Sequence, residues 1–451
     1  MKNSFLILLC ILLFIVIVSV LWGHIKVFIL NNLIIARGIL VPNCFWYSVS
    51  DKLLSDRSGI NLFYKFRKTQ GDIPKTYMFG VKTHIITNES HVKTILDNSP
   101  YPFGPGKLKY RFFKSFMKDN VGVSQGCPWK HRRIMNEKVL DTDQLHQFSE
   151  KYNKDMGDCI TKYFSKNKIV YQDFNKISKE MIGKIIFNTT NIHEDVYNIF
   201  SEANNVMLFY TKYSISNKTM NNYLNFLKSH IRHPISNSLV ELCVKNEDSE
   251  YEIIQQIPHF IFPIGGLFVT TIPRLLLILH NHKNKFQKIV NEILAINPNG
   301  NLSANQIYKL TYLRKCILEM LRLNNPVVTT FRTVLTDLNL DKYSFKKGDQ
   351  LLILNNPILR HPDYFRNPDR YIPERWTPEM EDSYYSISFN QGPQRCPAKE
   401  LAIFLTQSFM VNFIKITGIL ANGIHILTTK KIKTNKIDQM INTCNLEFNI
   451  N

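Results

Sequence analysis

The apolar positions of this chain change period several times. Residues 5–22, FLILLCILLFIVIVSVLW, are apolar throughout and carry no charge. At about 1.5 Å per residue, a helix of that length nearly crosses a hydrocarbon core of roughly 30 Å. WGHIKVFIL follows and offers no signal-peptidase site, so the segment predicts a retained membrane anchor and not a cleaved leader. Lys2 precedes the span, and Lys26, Arg37 and Lys52 follow it. That bias sets the body of the protein on the cytoplasmic side, as for an endoplasmic-reticulum-like membrane.

Beyond the anchor, residues 76–96 alternate and then turn helical after Asn88, which predicts a short sheet and a helix capped near Ser90. From about 127 to 295 most segments have helical period. The stretch 257–294 is apolar nearly all round in its first half, so it is expected to cross the core as one long helix. A second strong helix is expected over 305–324, ended by Asn325-Pro326. Strand-like pieces (VVTTFRTVL, KYSF, DQLLIL), a Pro-rich irregular stretch from 355 to 395 and a last helix complete the chain. The pattern is mainly α with a small β region: an anchor and flank over 1–30, then a single domain over 31–451.

Composition adds limits. Lys plus Arg is 56 against 36 Asp plus Glu, a net charge of +20, which suits anionic lipid, nucleic acid or an acidic protein, or simply a solvated basic surface. The basic residues are scattered, and no nucleic-acid partner is expected. The eight cysteines form no CxxC pair and no zinc-type spacing with His, which argues for reduced thiols and not a disulfide framework.

Three short stretches carry candidate chemistry. In EMLR, Glu319 and Arg322 share a helix face and can pair, and Arg375 of PERW could join the same carboxylate. In PWKHRR, Pro128 suits the first position of a helix, and Trp129 and Arg133 then lie on one face. An indole N–H and a guanidinium there could clamp an anion. In FNQGPQRCPAKE, Gly392 and Pro393 set a turn that places Cys396 at a helix N-terminus under Phe389. A buried structural thiol, a nucleophile and a metal thiolate all fit that position.

Taken together and in this order, these pieces resemble the cytochromes P450. They are the anchor, W-x-x-x-R (Trp129, Arg133), a central helix with Gly265-Gly266, E-x-x-R (Glu319, Arg322), PERW (373–376) and F-x-x-G-x-x-x-C (Phe389, Gly392, Cys396). The resemblance spans nearly the whole chain and implies the P450 fold behind an N-terminal transmembrane helix. It implies haem b with Cys396 as axial thiolate, and propionate contacts from Trp129, Arg133 and Arg332, with Phe389 and Arg395 beside the cofactor. Glu319, Arg322 and Arg375 match a structural triad. The implied reaction inserts one oxygen atom from O2 into an apolar, lipid- or sterol-like molecule, with electrons from an NADPH-dependent reductase. Aromatics in segments 100–118 and 195–230 (Phe103, Tyr110, Phe112, Phe113, Phe209, Tyr210) are expected to line the ligand pocket.

The sequence also departs from the family pattern. Gln394 stands where the family often has Arg or His, with Arg395 one place late, and Ala398 replaces a usual Gly. On the central helix, aligning Gly265-Gly266 puts Phe268 at the usual acid position and Val269 at the usual Thr. No Asp or Glu occurs between Glu252 and Glu292. Thr270 is then the candidate catalytic hydroxyl, and Phe268 is expected to crowd the oxygen site. Two other readings follow from this loss: a haem-thiolate isomerase or dehydratase acting on fatty-acid hydroperoxides, or a haem-binding relative with little catalysis.

Overall fold

The computed structural model describes residues 71–78, 81–164, 167–200, 215–327, 329–429 and 446–451, with a few isolated positions outside these runs. The expected anchor at 5–22 lies outside the described residues, as do Phe209 and Tyr210.

The strands are β1 (Lys75–Met78), β2 (Val81–Ile86), β3 (Phe103–Pro105), β4 (Lys168–Val170), β5 (Thr329–Val334), β6 (Leu338–Leu340), β7 (Tyr343–Phe345), β8 (Gln350–Leu354), β9 (Leu427–Thr429) and β10 (Glu447–Ile450). The main sheet runs β1-β2-β8-β5-β3, antiparallel except for the β2–β8 pair. β5 sits inside it because Phe331, Arg332 and Val334 are all buried, with β8 on one side and β3 on the other. The pairing sets Arg332 opposite Pro105, so the chain leaving β3 passes close over β5. Gly106 permits that approach, since a Cβ there would stand 2.3 Å from the Phe331 Cβ.

Helices make up most of the remainder. They are α1 (Glu89–Asp97), α2 (Lys107–Phe113), α3 (Gly126–Val139), α4 (Ser149–Phe164), α5 (Tyr171–Ile182), α6 (Asn217–Arg232), α7 (Leu239–Asn246), α8 (Glu250–Gly266), α9 (Ile272–Asn281), α10 (Lys283–Ile296), α11 (Ala304–Tyr308), α12 (Thr311–Leu323) and α13 (Lys399–Ile416). α1 starts where Asn88 accepts from the Ser90 N–H, two residues before the cap expected at Ser90. α13 is buried on almost every side and packs on α4 and α5 through Phe164, Phe174, Phe409 and Phe413, whose ring centroids lie 5.0–6.2 Å apart.

The long central helix differs from its expectation. It begins earlier, at Glu250, and runs to Asn281 with a π turn at Leu267–Thr271 between α8 and α9. It ends at His282, which leaves helical geometry (φ −121°, ψ 62°) while its ring bonds back to the Ile278 carbonyl at 2.8 Å. α10 is therefore a separate helix. The segment expected as one helix over 305–324 also divides at Lys309–Leu310. Leu310 cannot cap α12 with its own side chain, and Glu292 does so from α10, accepting from the Tyr312 and Leu313 N–H groups at 2.8 and 3.0 Å. α3 starts at Gly126, so Pro128 falls at the third helical position and not the first.

Candidate active site

The Cys396 loop is shaped by its own backbone and by two outside contacts. Gly392 has φ +71°, and a Cβ there would meet the Leu96 carbonyl oxygen at 2.5 Å, so the turn lies flat on the end of α1. The Cys396 N–H donates to the Phe389 carbonyl at 2.8 Å, and the Arg395 N–H donates to Gly392 at 3.0 Å. Arg133 of α3 donates to the Arg395 carbonyl at 2.7 Å, and Thr142, in the turn after α3, donates to the Pro397 carbonyl at 2.9 Å. Burial pushes the Cys396 thiol up from its ordinary value. The Ala398 N–H, Arg133 and Lys399 act the other way and favour the thiolate.

Cys396 lies deep in the protein yet keeps accessible surface, so that surface faces an interior space. His259 of α8 and Lys109 of α2 show the same combination. On the central helix, Gly266 borders open space, since a Cβ built there would meet nothing within 4 Å, whereas one on Gly265 would press on Ile182 of α5 at 3.3 Å. Thr270, one helical turn on from Gly266, donates its hydroxyl to the Gly266 carbonyl at 2.6 Å. That bond competes for a carbonyl of the helix ladder, and Pro273 offers no N–H to Val269. Both account for the π turn, where the Ile272 N–H reaches back to Leu267. Phe268 has no exposed surface at all. Its ring is enclosed in the core, and Val269 is buried beside it.

Two of the buried basic groups, Arg332 and Lys109, have no carboxylate partner among the described residues. Arg332 is 6% exposed and spends its donors on the Ser99 hydroxyl (2.8 Å) and the Phe331 carbonyl (2.9 Å). Burial lowers it to about 10. Among the described residues, neither Arg332, Lys109 nor His259 has a carboxylate within ion-pair distance. Arg133 bonds Glu137 at 2.6 Å besides the loop carbonyl. The half-buried Trp129 has no acceptor for its indole N–H among the described residues. Buried cations without counter-ions are costly unless an anion joins them. A cysteine on a fixed turn, open space at Gly266 on the central helix and two buried cations without carboxylate partners fit a planar metal cofactor that brings its own carboxylates.

Arg395 is placed differently from its expected role. Its guanidinium is exposed and pairs with Asp143, so only its main-chain carbonyl serves the loop. Of the aromatics expected to line a ligand pocket, Phe103 belongs to the small core between α1 and the main sheet, and Tyr110 is 45% exposed. Phe113 does start a run of edge-on and tilted rings, Phe113–Phe116–Phe200–Phe262, that reaches α8 with centroids 5.5–6.2 Å apart.

The Glu319–Arg322 pair has no exposed surface. Arg322 binds Glu319 through two bonds of 2.9 and 2.8 Å, Arg375 adds one at 3.1 Å, and the Trp376 indole adds another at 2.9 Å. Arg322 also donates to the Leu359 and Pro368 carbonyls at 2.9 and 2.6 Å. α12 thereby fixes the irregular segment that delivers the Cys loop. Trp376, Lys109 and His259 were missed by sequence reasoning. Trp376 lies within PERW and could have been noticed there; Lys109 and His259 carry no spacing signal.

In comparison with known proteins, the cytochrome P450 family model matches residues 41–259 and 268–415, and the chain belongs to the cytochrome P450 family. Membership implies haem iron held by a cysteine thiolate. A beta-amyrin 16-beta-monooxygenase of Platycodon grandiflorus is 31% identical over 34% of this chain and 33% of its own length. A taxoid 7-beta-hydroxylase of Taxus cuspidata is 29% identical over 31% and 29%. A probable mitochondrial cytochrome P450 12d1 of Drosophila melanogaster is 26% identical over 40% and 36%. The matched segments span about a third of each relative.

Proposed function

We propose that this protein is a monooxygenase that binds haem b through Cys396 and inserts one oxygen atom from O2 into an apolar, lipid- or sterol-like substrate. The observation that carries the reading is Cys396, buried on a turn fixed by Gly392, Arg133 and Thr142, in a chain whose Arg332 and Lys109 are buried without carboxylate partners among the described residues. When bound, haem would supply dioxygen activation, with the thiolate donating electron density to the iron. Trp129, Arg133 and Arg332 would hold its propionates, and Phe389 would shield the sulfur. Thr270, bonded to the Gly266 carbonyl, would hold or pass a proton there. The relatives named for oxidation of amyrin and taxoid skeletons support an apolar substrate class. The basic balance suits docking of an acidic, NADPH-dependent reductase, and the segment 5–22 would anchor the protein to a membrane with the body on the cytoplasmic side.

One observation favours a second reading. The acid of the usual proton relay has no counterpart between Glu252 and Glu292, and Thr270 is engaged with Gly266. Rearrangement of a hydroperoxide needs neither relay nor electron supply. The test incubates the purified holoprotein with triterpenoid and fatty-acid panels plus NADPH and a reductase, and separately with fatty-acid hydroperoxides alone. NADPH-dependent incorporation of labelled oxygen from O2 supports the monooxygenase. Conversion of hydroperoxide alone, with no product in the other arm, overturns it in favour of the isomerase.

A further inference from the structure

The residues on either side of Cys396 are both held from α3 and the turn that follows it. Arg395 is tied twice, by its carbonyl to Arg133 and by its guanidinium to Asp143. Pro397 is tied where its carbonyl accepts from the Thr142 hydroxyl at 2.9 Å. The turn that presents Thr142 and Asp143 is built by its own bonds. Asp141 and Asp143 take left-handed backbone angles, φ 47° and 67°, on either side of Thr142. The Thr142 N–H donates to the Glu137 carbonyl at 3.1 Å, and the Asp141 carboxylate accepts from the Gln147 N–H at 2.8 Å. The buried His146 ring donates to the Val139 carbonyl at 3.1 Å and accepts from the Phe148 N–H at 3.1 Å. The Thr142 hydroxyl therefore reaches the Cys loop from a fixed frame.

That bond matters for the sulfur because of the group that shares its peptide. The carbonyl of Pro397 and the N–H of Ala398 belong to one planar unit and point opposite ways. Thr142 holds the oxygen, and the N–H on the other side bonds toward Cys396 and favours its thiolate. A donor on the carbonyl fixes the plane and polarises the amide, which makes its N–H a stronger donor. We propose that Thr142 is a positioning residue for the metal thiolate: through the Pro397 carbonyl it sets the direction and strength of the N–H presented to Cys396. This rests on the haem-thiolate reading above. A stronger N–H draws electron density from the sulfur, so the bound iron is easier to reduce with Thr142 in place.

The experiment measures the ferric–ferrous equilibrium of the holoprotein against a redox dye of known potential, for wild type, Thr142→Val, Thr142→Ser and Asp143→Asn. Each is checked first for the thiolate Soret band of its reduced, CO-bound form. Thr142→Val keeps the shape and loses the donor. It is expected to shift the equilibrium constant about two- to fourfold toward ferric, since polarisation adds about 10–30% to a charge-assisted bond. Thr142→Ser restores the hydroxyl and should return to wild type; a shift equal to that of Thr142→Val overturns the inference. Asp143→Asn loosens the loop at Arg395 without touching the Pro397 carbonyl and should not shift toward ferric. An equal shift there would make the effect a general loosening of the loop and overturns the inference. An unchanged equilibrium in Thr142→Val, with the thiolate band present, also overturns it and leaves the haem-thiolate reading standing. If the wild-type protein takes up no haem, both readings fall. If Thr142→Val does not fold, Thr142→Ala carries the same prediction, and an unchanged equilibrium in it overturns the inference.

Discussion

Arg133 donates Nη1 to the Arg395 carbonyl at 2.7 Å and Nε to Glu137 at 2.6 Å, which ties α3 to the residue before Cys396. The same guanidinium lies close enough to Cys396 to favour its thiolate. Arg133→Leu loses the staple and the charge together. We expect a loss of about 1.5–3 kcal/mol in stability and a markedly lower haem-to-protein ratio. Arg133→Lys should keep the charge but lose the forked geometry and fall between the two. Urea unfolding together with the Soret-to-280 nm absorbance ratio checks both.

Glu319 is the hub of a wholly buried network, with bonds from Arg322, Arg375, the Trp376 indole and the Ile372 N–H. Removing one partner of such a pair leaves an uncompensated buried charge, at a cost of about 3–5 kcal/mol. Glu319→Ala is expected to unfold at correspondingly lower urea or to appear only as aggregate. The double variant Glu319→Ala with Arg322→Leu should lose less than the sum of the two single changes.

The two glycines that shape the site predict opposite outcomes. Gly392→Ala places a side chain at φ +71° and 2.5 Å from the Leu96 carbonyl, so the strain exceeds the roughly 1–2 kcal/mol of a left-handed residue alone. Gly266→Ala meets nothing within 4 Å and should fold normally. Thermal unfolding of the two variants separates them, and equal losses would contradict the geometry.

Glu374 gives a pH prediction. Burial alone would raise its pKa, but hydrogen bonds from Lys285 and Lys288 hold it down to about 2. A carboxylate depressed in the folded state adds stability that is fully present above its unfolded value near 4.5. That stability is lost as pH falls from there toward about 2. The melting temperature of wild type should therefore drop more steeply than that of Glu374→Gln between about pH 5 and 3. The group is partly exposed, so the difference should be modest and should shrink in high salt.

Legibility in the sequence followed the range of the interactions concerned. Trp129 and Arg133, or Glu319 and Arg322, are neighbours on a helix turn, so spacing alone set their shared faces. The strands at 329–334 and 350–354 were equally visible, the first from its β-branched and aromatic residues and the second from a continuous apolar run. The break at His282, the cap that Glu292 lends to α12 and the outward turn of Arg395 depend on partners distant in sequence or on one backbone angle. No local pattern encodes them. Phe268 shows the same limit: register gave its position along the helix, but not that packing would enclose it. Lys109 and His259 look like ordinary polar residues until the fold buries them.

The central claim is that Cys396 is the thiolate ligand of a haem. The most direct measurement is the difference spectrum of the reduced, CO-bound protein against the reduced protein, for wild type and Cys396→Ala. The account predicts the long-wavelength Soret band of a thiolate-ligated CO complex in wild type and its loss in Cys396→Ala. A wild-type protein that takes up no haem, or a band that survives in Cys396→Ala, would contradict it.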